Sequence, residues 1–292
     1  MIPFAIKSRI FDQTLLQLSR FFTDRSREPG VLILAYHDIN PIPTRVKKRY
    51  IYTVHPEQFK WQMTLLREMG LPVVPLSQAV DRLSGKLPLE EKYVVITFDD
   101  GYHTFMKYAL PVLKQLQLPA TLFVTTGYLG QAKAFPWLVE ETGVSRDFAA
   151  WQPFTREDIH QLGESEMVEI GSHTHLHRSV TEMDGTDYLH DVATSRRILQ
   201  EILSREVVHF SYAYSISSFL RQPDRLRQLE QGLESLGFRS ACTTLMGFNR
   251  QGANVFRLKR IQVKGYDSPS LFRQRLEANL TLLERAQRVL AT

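Results

Sequence analysis

A single cysteine, Cys242, stands among 292 residues, so no internal disulfide can form. It lies in the apolar-flanked run Ser240-Ala241-Cys242-Thr243-Thr244, which points to a buried inert thiol rather than a nucleophile. No run approaches the roughly 20 apolar residues that a transmembrane helix needs. The first residues carry no unbroken apolar stretch with a small-residue cleavage site, so no secretory leader is expected and the expected location is cytoplasmic. There is no Gly-x-Ser-x-Gly elbow, which argues against a serine hydrolase of that kind. Repeats and low-complexity tracts are missing too. Charge of one sign is also scarce: the net +5 is too small and too dispersed to predict a nucleic-acid partner.

What is there is a core and a rhythm. Apolar residues make up 43% of the chain, enough for a sizeable interior. Residues 1–28 place Ile6, Ile10, Leu15, Leu18, Phe21 and Phe22 at helical spacing among Lys7, Arg9 and Arg20. This predicts an amphipathic helix, packed on the domain or, as the alternative, lying on the inner membrane surface. From residue 29 to 292 short apolar runs alternate with helical patterns. Strands are expected at Val31–Tyr36, near Val73-Val74, and at Tyr93–Phe98, Ala120–Thr125, Met167–Gly171, Val207–Tyr214, Phe238–Thr243 and Phe256–Val263. Helices are expected from Pro56 to Met69, from Ser77 (as the cap) to Leu83, and over Phe105–Leu116 with Pro111 as a kink or restart. Further helices follow Thr155, whose Asp158 makes a capping box, and span Asp187–Leu203, Pro223–Leu236 and the chain end from Ser268. Such alternation calls for a parallel sheet wrapped by helices, and the number of units favours closure into a (β/α) barrel. The loop bearing Arg45, Lys47, Lys48 and Arg49 is expected to be solvated. The stretch 127–154 has no period but holds Phe135, Trp137, Phe148, Trp151 and Phe154, which suit either a sugar-stacking wall or local packing.

Two motifs carry chemistry. The strand Val94-Val95-Ile96-Thr97-Phe98 runs into Asp99-Asp100-Gly101, and buried carboxylates need a partner or a metal. Neighbouring side chains on a strand face opposite ways, so both acids reach one site only if the chain bends, which Gly101 permits. The second motif, His173-Thr174-His175-Leu176-His177, has two histidines four apart, the spacing that aligns ligands on a helical turn. Asp100, His173 and His177 are the expected ligands of a divalent ion, zinc by the chemistry of the donor set, with His175 outside. Asp99 is then free to act as the base that takes a proton from water.

The run Thr97-Phe98-Asp99-Asp100-Gly101-Tyr102 resembles the first motif of the polysaccharide deacetylases, the carbohydrate esterases that share the NodB homology domain. Ser172-His173-Thr174-His175-Leu176-His177 resembles their second. The resemblance spans about Val31 to Val263. It implies a distorted (β/α) barrel, often of seven strands, with Asp99 as base and Asp100, His173 and His177 on the metal. Leu34-Ala35-Tyr36-His37 resembles the opening strand of the branch that deacetylates N-acetylglucosamine polymers, which makes His37 an acid or a substrate contact, the alternative being a structural histidine under the rim. Phe210-Ser211-Tyr212-Ala213-Tyr214-Ser215 is similar to the family's Phe-Ala-Tyr-Pro-Tyr-Gly, with Tyr214 as the oxyanion donor; Ala213 and Ser215 replace the proline and glycine. Arg257-Leu258-Lys259-Arg260-Ile261 resembles a late strand whose arginine, here Arg260, holds the catalytic carboxylate, the alternative being a surface arginine. The family's late Leu-x-x-His has no counterpart, and Arg178 stands where a proline is usual. The expected function is therefore metal-dependent removal of an N-acetyl group from an N-acetylated carbohydrate. The alternatives are hydrolysis of a non-sugar amide or imide on the same barrel, and sugar binding without catalysis. The oligomeric state is left open.

Overall fold

The computed structural model describes residues 28–41 and 50–277. The expected helix in residues 1–28 and the basic loop at 45–49 lie outside the described residues, apart from Glu28. In chain order the strands are β1 (Gly30–Tyr36), β2 (Asp38–Ile39), β3 (Thr53–Val54), β4 (Lys92–Phe98), β5 (Ala120–Val124), β6 (Val168–Ser172), β7 (His209–Ser211), β8 (Ser240–Met246) and β9 (Leu258–Gln262). β2 and β3 form a small ribbon; the other seven close into a barrel in the order β1-β4-β5-β6-β7-β8-β9. Every barrel pairing is parallel. The barrel is uneven. β1 and β4 are paired along seven residues, while β6 meets β7 only at Ser172 and Phe210.

Strands buried on both faces read as continuous apolar runs, and β1 is buried at all seven positions. Leu32, Leu34 and Tyr36 face the helices together with Val94, Ile96, Leu122 and Ile170. Val31 and Ile33 point inward, against Tyr93, Val95, Phe123, Cys242 and Leu258. Leu76, Ala79, Val80 and Leu83 of the helix Leu76–Leu83 join this inner cluster and close the N-terminal end of the barrel.

Local departures have local causes. The Leu76–Leu83 helix is capped by Pro75 with no side-chain bond, not by Ser77. The Ser77 N–H instead donates to the Glu169 carboxylate, 3.3 Å from each oxygen, so a residue from another strand takes over the cap. Residues Phe105–Ala109 form a π turn and the α-helix restarts at Leu110, which puts Pro111 in its first turn, where proline is best tolerated. β7 stops at Ser211 rather than reaching Tyr214, which turns left-handed at φ +61°. Val73 makes only an isolated bridge to Val94. The helix after Thr155 has the expected capping box with Asp158. No helix among the described residues is long and apolar enough to cross a membrane.

Candidate active site and metal centre

The C-terminal ends of β4, β6, β7 and β9 meet at one mouth of the barrel. Asp99 continues the ladder beyond β4, its N–H bonded to the Tyr36 carbonyl at 2.9 Å, so its side chain stays on the inner face. There it meets Arg260 of β9 in a fork: Nη1 to Oδ1 at 2.7 Å and Nη2 to Oδ2 at 2.7 Å. Arg260 is fully buried and its Nε donates to the Thr243 carbonyl. It is thus a barrel-interior arginine, not a surface one. Burial acts to raise the Asp99 pKa, but the charges of Arg260 and His173 outweigh it and hold the carboxyl below its ordinary value.

Asp100 should face the other way. It does not, because it takes φ +73° and Gly101 takes φ +93°, two left-handed residues in a row. Asp tolerates that region at some cost. At Gly101 a Cβ would also lie 3.2 Å from the Phe154 ring and 3.3 Å from Val124 Cγ1, so both the backbone angle and the tight surroundings favour glycine. The turn swings the Asp100 carboxylate into the mouth beside Asp99.

His173 leaves the end of β6 with its N–H bonded to the Val124 carbonyl. Its Nδ1 lies 2.9 Å from the Ser211 carbonyl, which can only accept, so Nδ1 carries the proton and Nε2 is the free lone pair. His177 does not sit on a helical turn with His173, contrary to the spacing-based expectation. The segment is a loop with Thr174 at φ +67° and His177 at φ +55°. Its amides are taken by side chains: Asp191 accepts from the N–H groups of His175 and Leu176, and Thr174 Oγ1 from that of His177. Local polar side chains here compete successfully with helix formation. His175 turns away to Thr126 Oγ1 at 3.0 Å.

Asp100 Oδ1 lies 3.4 Å from His173 Nε2 and 3.2 Å from His177 Nε2. These are too long for charge-assisted hydrogen bonds of about 2.7–2.9 Å. Both Asp100 oxygens are buried without a hydrogen bond. One ligand atom from each residue lies within 4.8 Å of the others. A tetrahedral centre with bonds of about 2.0–2.1 Å has edges of about 3.3–3.4 Å, which matches the two contacts. The donor set of two imidazoles and a carboxylate therefore fits a divalent ion. Burial acts to raise the Asp100 pKa, but the two imidazoles hold it well below the carboxylate range. Burial lowers His177, while for His173 the two carboxylates overcome burial and raise it.

His37 follows β1 and stacks on Tyr52, ring centroids 4.6 Å apart. Its Nδ1 is buried without a hydrogen bond, and burial lowers its pKa against the pull of Asp100 and Asp99. Tyr214 is 46% exposed, its ring 4.8 Å from that of His177, and its phenol is pushed up to about 12 by burial and then by Asp100. The aromatic stretch 127–154 divides. Phe135, Trp151 and Phe154 are packed at 1–2% exposure, while Trp137 stacks on His177. Two contributors escaped the sequence reading, Trp137 as a neighbour of His177 and Asp191 as a brace of its loop. Asp191 had a signal: an acid on the buried face of the helix Gly185–Leu203, between Tyr188 and Val192.

The model of the family described as "Polysaccharide deacetylase" matches residues 86–239, more than half of the chain. The poly-beta-1,6-N-acetyl-D-glucosamine N-deacetylase of Escherichia coli is 37% identical over 123 residues, which is 40% of this chain but 16% of that protein. Among solved structures, IcaB from Ammonifex degensii superposes with a TM-score of 0.68 at 23% identity, covering 86% of this chain and 97% of that one. The deacetylase PplD of Streptococcus pyogenes, in complex with acetate, gives 0.66 at 21% identity over 85% and 99%. At these identities the two superpositions speak for the fold alone.

Proposed function

The chain belongs to the polysaccharide deacetylase family, and from that premise we propose that it is a metal-dependent hydrolase that removes N-acetyl groups from an N-acetylglucosamine polymer. Water and an acetamide give acetate and a free amine. The observation that carries the reading is the buried, hydrogen-bond-free Asp100 carboxylate facing two imidazoles, next to a second carboxylate already paired with arginine. The named activity of the Escherichia coli relative supports a β-1,6-linked polymer as substrate.

Asp100, His173 and His177 would hold the ion, and we assign it as zinc from the nitrogen and oxygen donors. Once bound there, such an ion acts as a Lewis acid on the acetyl carbonyl and makes water easier to deprotonate. Asp99 accepts the proton of the attacking water. Arg260 keeps that carboxylate ionised and aimed, so a base is present at neutral pH. The Tyr214 N–H is assigned to the oxyanion. His37, whose buried ring carries a nitrogen without a partner, is assigned to a substrate contact beside the departing amine, which takes up the proton that Asp99 accepted.

The test is acetate release from β-1,6- and β-1,4-linked N-acetylglucosamine oligomers and from small cyclic amides. Zinc-loaded protein should release acetate from the β-1,6 series, and a chelator should abolish this. Asp99→Asn should keep its metal and lose turnover. Turnover of the cyclic amides alone overturns the carbohydrate reading, and binding of oligomers without release overturns catalysis.

A further inference from the structure

The two imidazoles of the centre are held by different means. His173 follows the common pattern for a metal-ligating histidine, in which the second ring nitrogen donates to a carbonyl or carboxylate and so fixes the ring. Its acceptor is the Ser211 carbonyl, at 2.9 Å. His177 departs from that pattern. Its Nδ1 is buried and makes no hydrogen bond with any protein group.

Aromatic faces lie against the His177 ring instead. The Trp137 ring centroid is 3.9 Å away with the planes 26° apart, a parallel stack. Tyr214 lies on the ring at 4.8 Å, tilted by 54°. Trp137 is itself rooted. Phe135 stacks on it at 4.5 Å with planes 20° apart, and Tyr128 meets it edge-on at 5.4 Å. Phe135 is 1% exposed and packs edge-on against buried Tyr102. The stack is thus anchored in the core, not on a surface side chain.

We infer that Trp137 is a positioning residue, whose indole face takes the place of the missing hydrogen bond and holds the His177 ring in its ligand orientation. The inference rests on the reading of Asp100, His173 and His177 as a metal centre. A flat neighbour fixes the plane of the imidazole, but it accepts no proton and so adds nothing to the ring's basicity. The two histidines are therefore unequal ligands: His173 is oriented and polarised through the Ser211 carbonyl, whereas His177 is oriented only.

The test needs no substrate. Zinc affinity of the metal-free chain is measured by competition with a chromophoric chelator, alongside the melting temperature of the metal-free protein. Trp137→Phe keeps a flat face, and Trp137→Leu keeps apolar bulk without one. The leucine variant should bind zinc about 10–100-fold more weakly, the range seen when an outer-shell partner of a ligand is lost, and the phenylalanine variant within about threefold of wild type. The cobalt(II) absorption bands should shift in the leucine variant only. Trp137→Met repeats the comparison if the leucine chain does not fold. Equal affinity in wild type, phenylalanine and leucine chains overturns the inference, and so does equal weakening in both variants, which would mean bulk rather than a flat face. A wild-type chain that binds no zinc overturns it together with the reading of the metal centre. A wild-type chain that binds zinc but releases no acetate overturns the deacetylase reading alone.

Discussion

The two ends of the barrel are built from similar polar residues and use them in opposite ways. At the N-terminal end the Glu169 carboxylate accepts from Ser77 N–H and from Thr121 Oγ1, and His209 Nδ1 meets Ser240 Oγ at 2.9 Å. Arg239 pairs with Asp81 across the closing helix. These groups partner one another, and Arg82 Nε of the closing helix is the exception. At the C-terminal mouth both Asp100 oxygens and His177 Nδ1 are buried without hydrogen bonds, although Asp99 and Arg260 next door are fully engaged. Buried polar atoms are nearly always satisfied, so a carboxylate left without a hydrogen bond between two imidazoles marks the mouth as the end shaped to bind something.

Four changes put that contrast to the test. The largest effect belongs to the mouth. Asp99→Asn should lower acetate release by about 10²–10⁴-fold, the usual contribution of a general base, with zinc affinity retained. Near-normal turnover would move the base elsewhere. Next is Arg260→Met, which leaves a buried carboxylate unpaired. Breaking such a pair costs about 3–5 kcal/mol, read as a lower urea midpoint, whereas a cost near zero would mean that the fork is structurally idle.

The third change concerns Asp38, at the rim beside His37. It is fully buried and accepts from Thr53, Thr104 and Trp151, with no cation among these donors. Burial lifts its pKa to about 6 despite these bonds. The folded state therefore holds this proton more tightly than the unfolded chain. Its contribution to stability is fully present below about pH 4 and is lost as pH rises through about 6. Other carboxylates titrate in the same range, so the quantity to follow is wild type minus Asp38→Asn. That difference should fall by about 2–3 kcal/mol between pH 4 and 7 in urea titrations, and a flat difference would contradict the burial argument.

The smallest effect belongs to the closed end. Glu169→Ala removes the cap of the Leu76–Leu83 helix and should cost about 1–2 kcal/mol of stability, leaving zinc affinity and turnover unchanged. A loss of zinc binding in this variant would break the division between a structural end and a chemical one.

Some of this architecture was legible one residue at a time. The β-branched run ending in Asp99-Asp100-Gly101 declared both the strand and its strange terminus, and the bend it demanded is the pair of positive φ angles at Asp100 and Gly101. The histidines were legible as a pair but not in conformation. A spacing of four suits a helical turn, and the loop that forms instead depends on the Asp191 carboxylate, brought in by a helix that begins at Gly185. The capping box at Thr155 is contained within four residues and was readable, whereas the cap of the Leu76–Leu83 helix comes from Glu169, 92 positions away from Ser77, and was not.

Periodicity, turn chemistry and short motifs are properties of neighbours in the chain, and they were enough to determine a parallel αβ architecture and to mark Asp99, Asp100, His173 and His177. Barrel closure decided the rest. It brings Arg260 onto Asp99 across 161 positions and lays Trp137 against His177. It also leaves both Asp100 oxygens buried without a hydrogen bond, facing two imidazoles. Whether a polar atom is satisfied depends on everything that packs around it, and no local stretch of sequence contains that information.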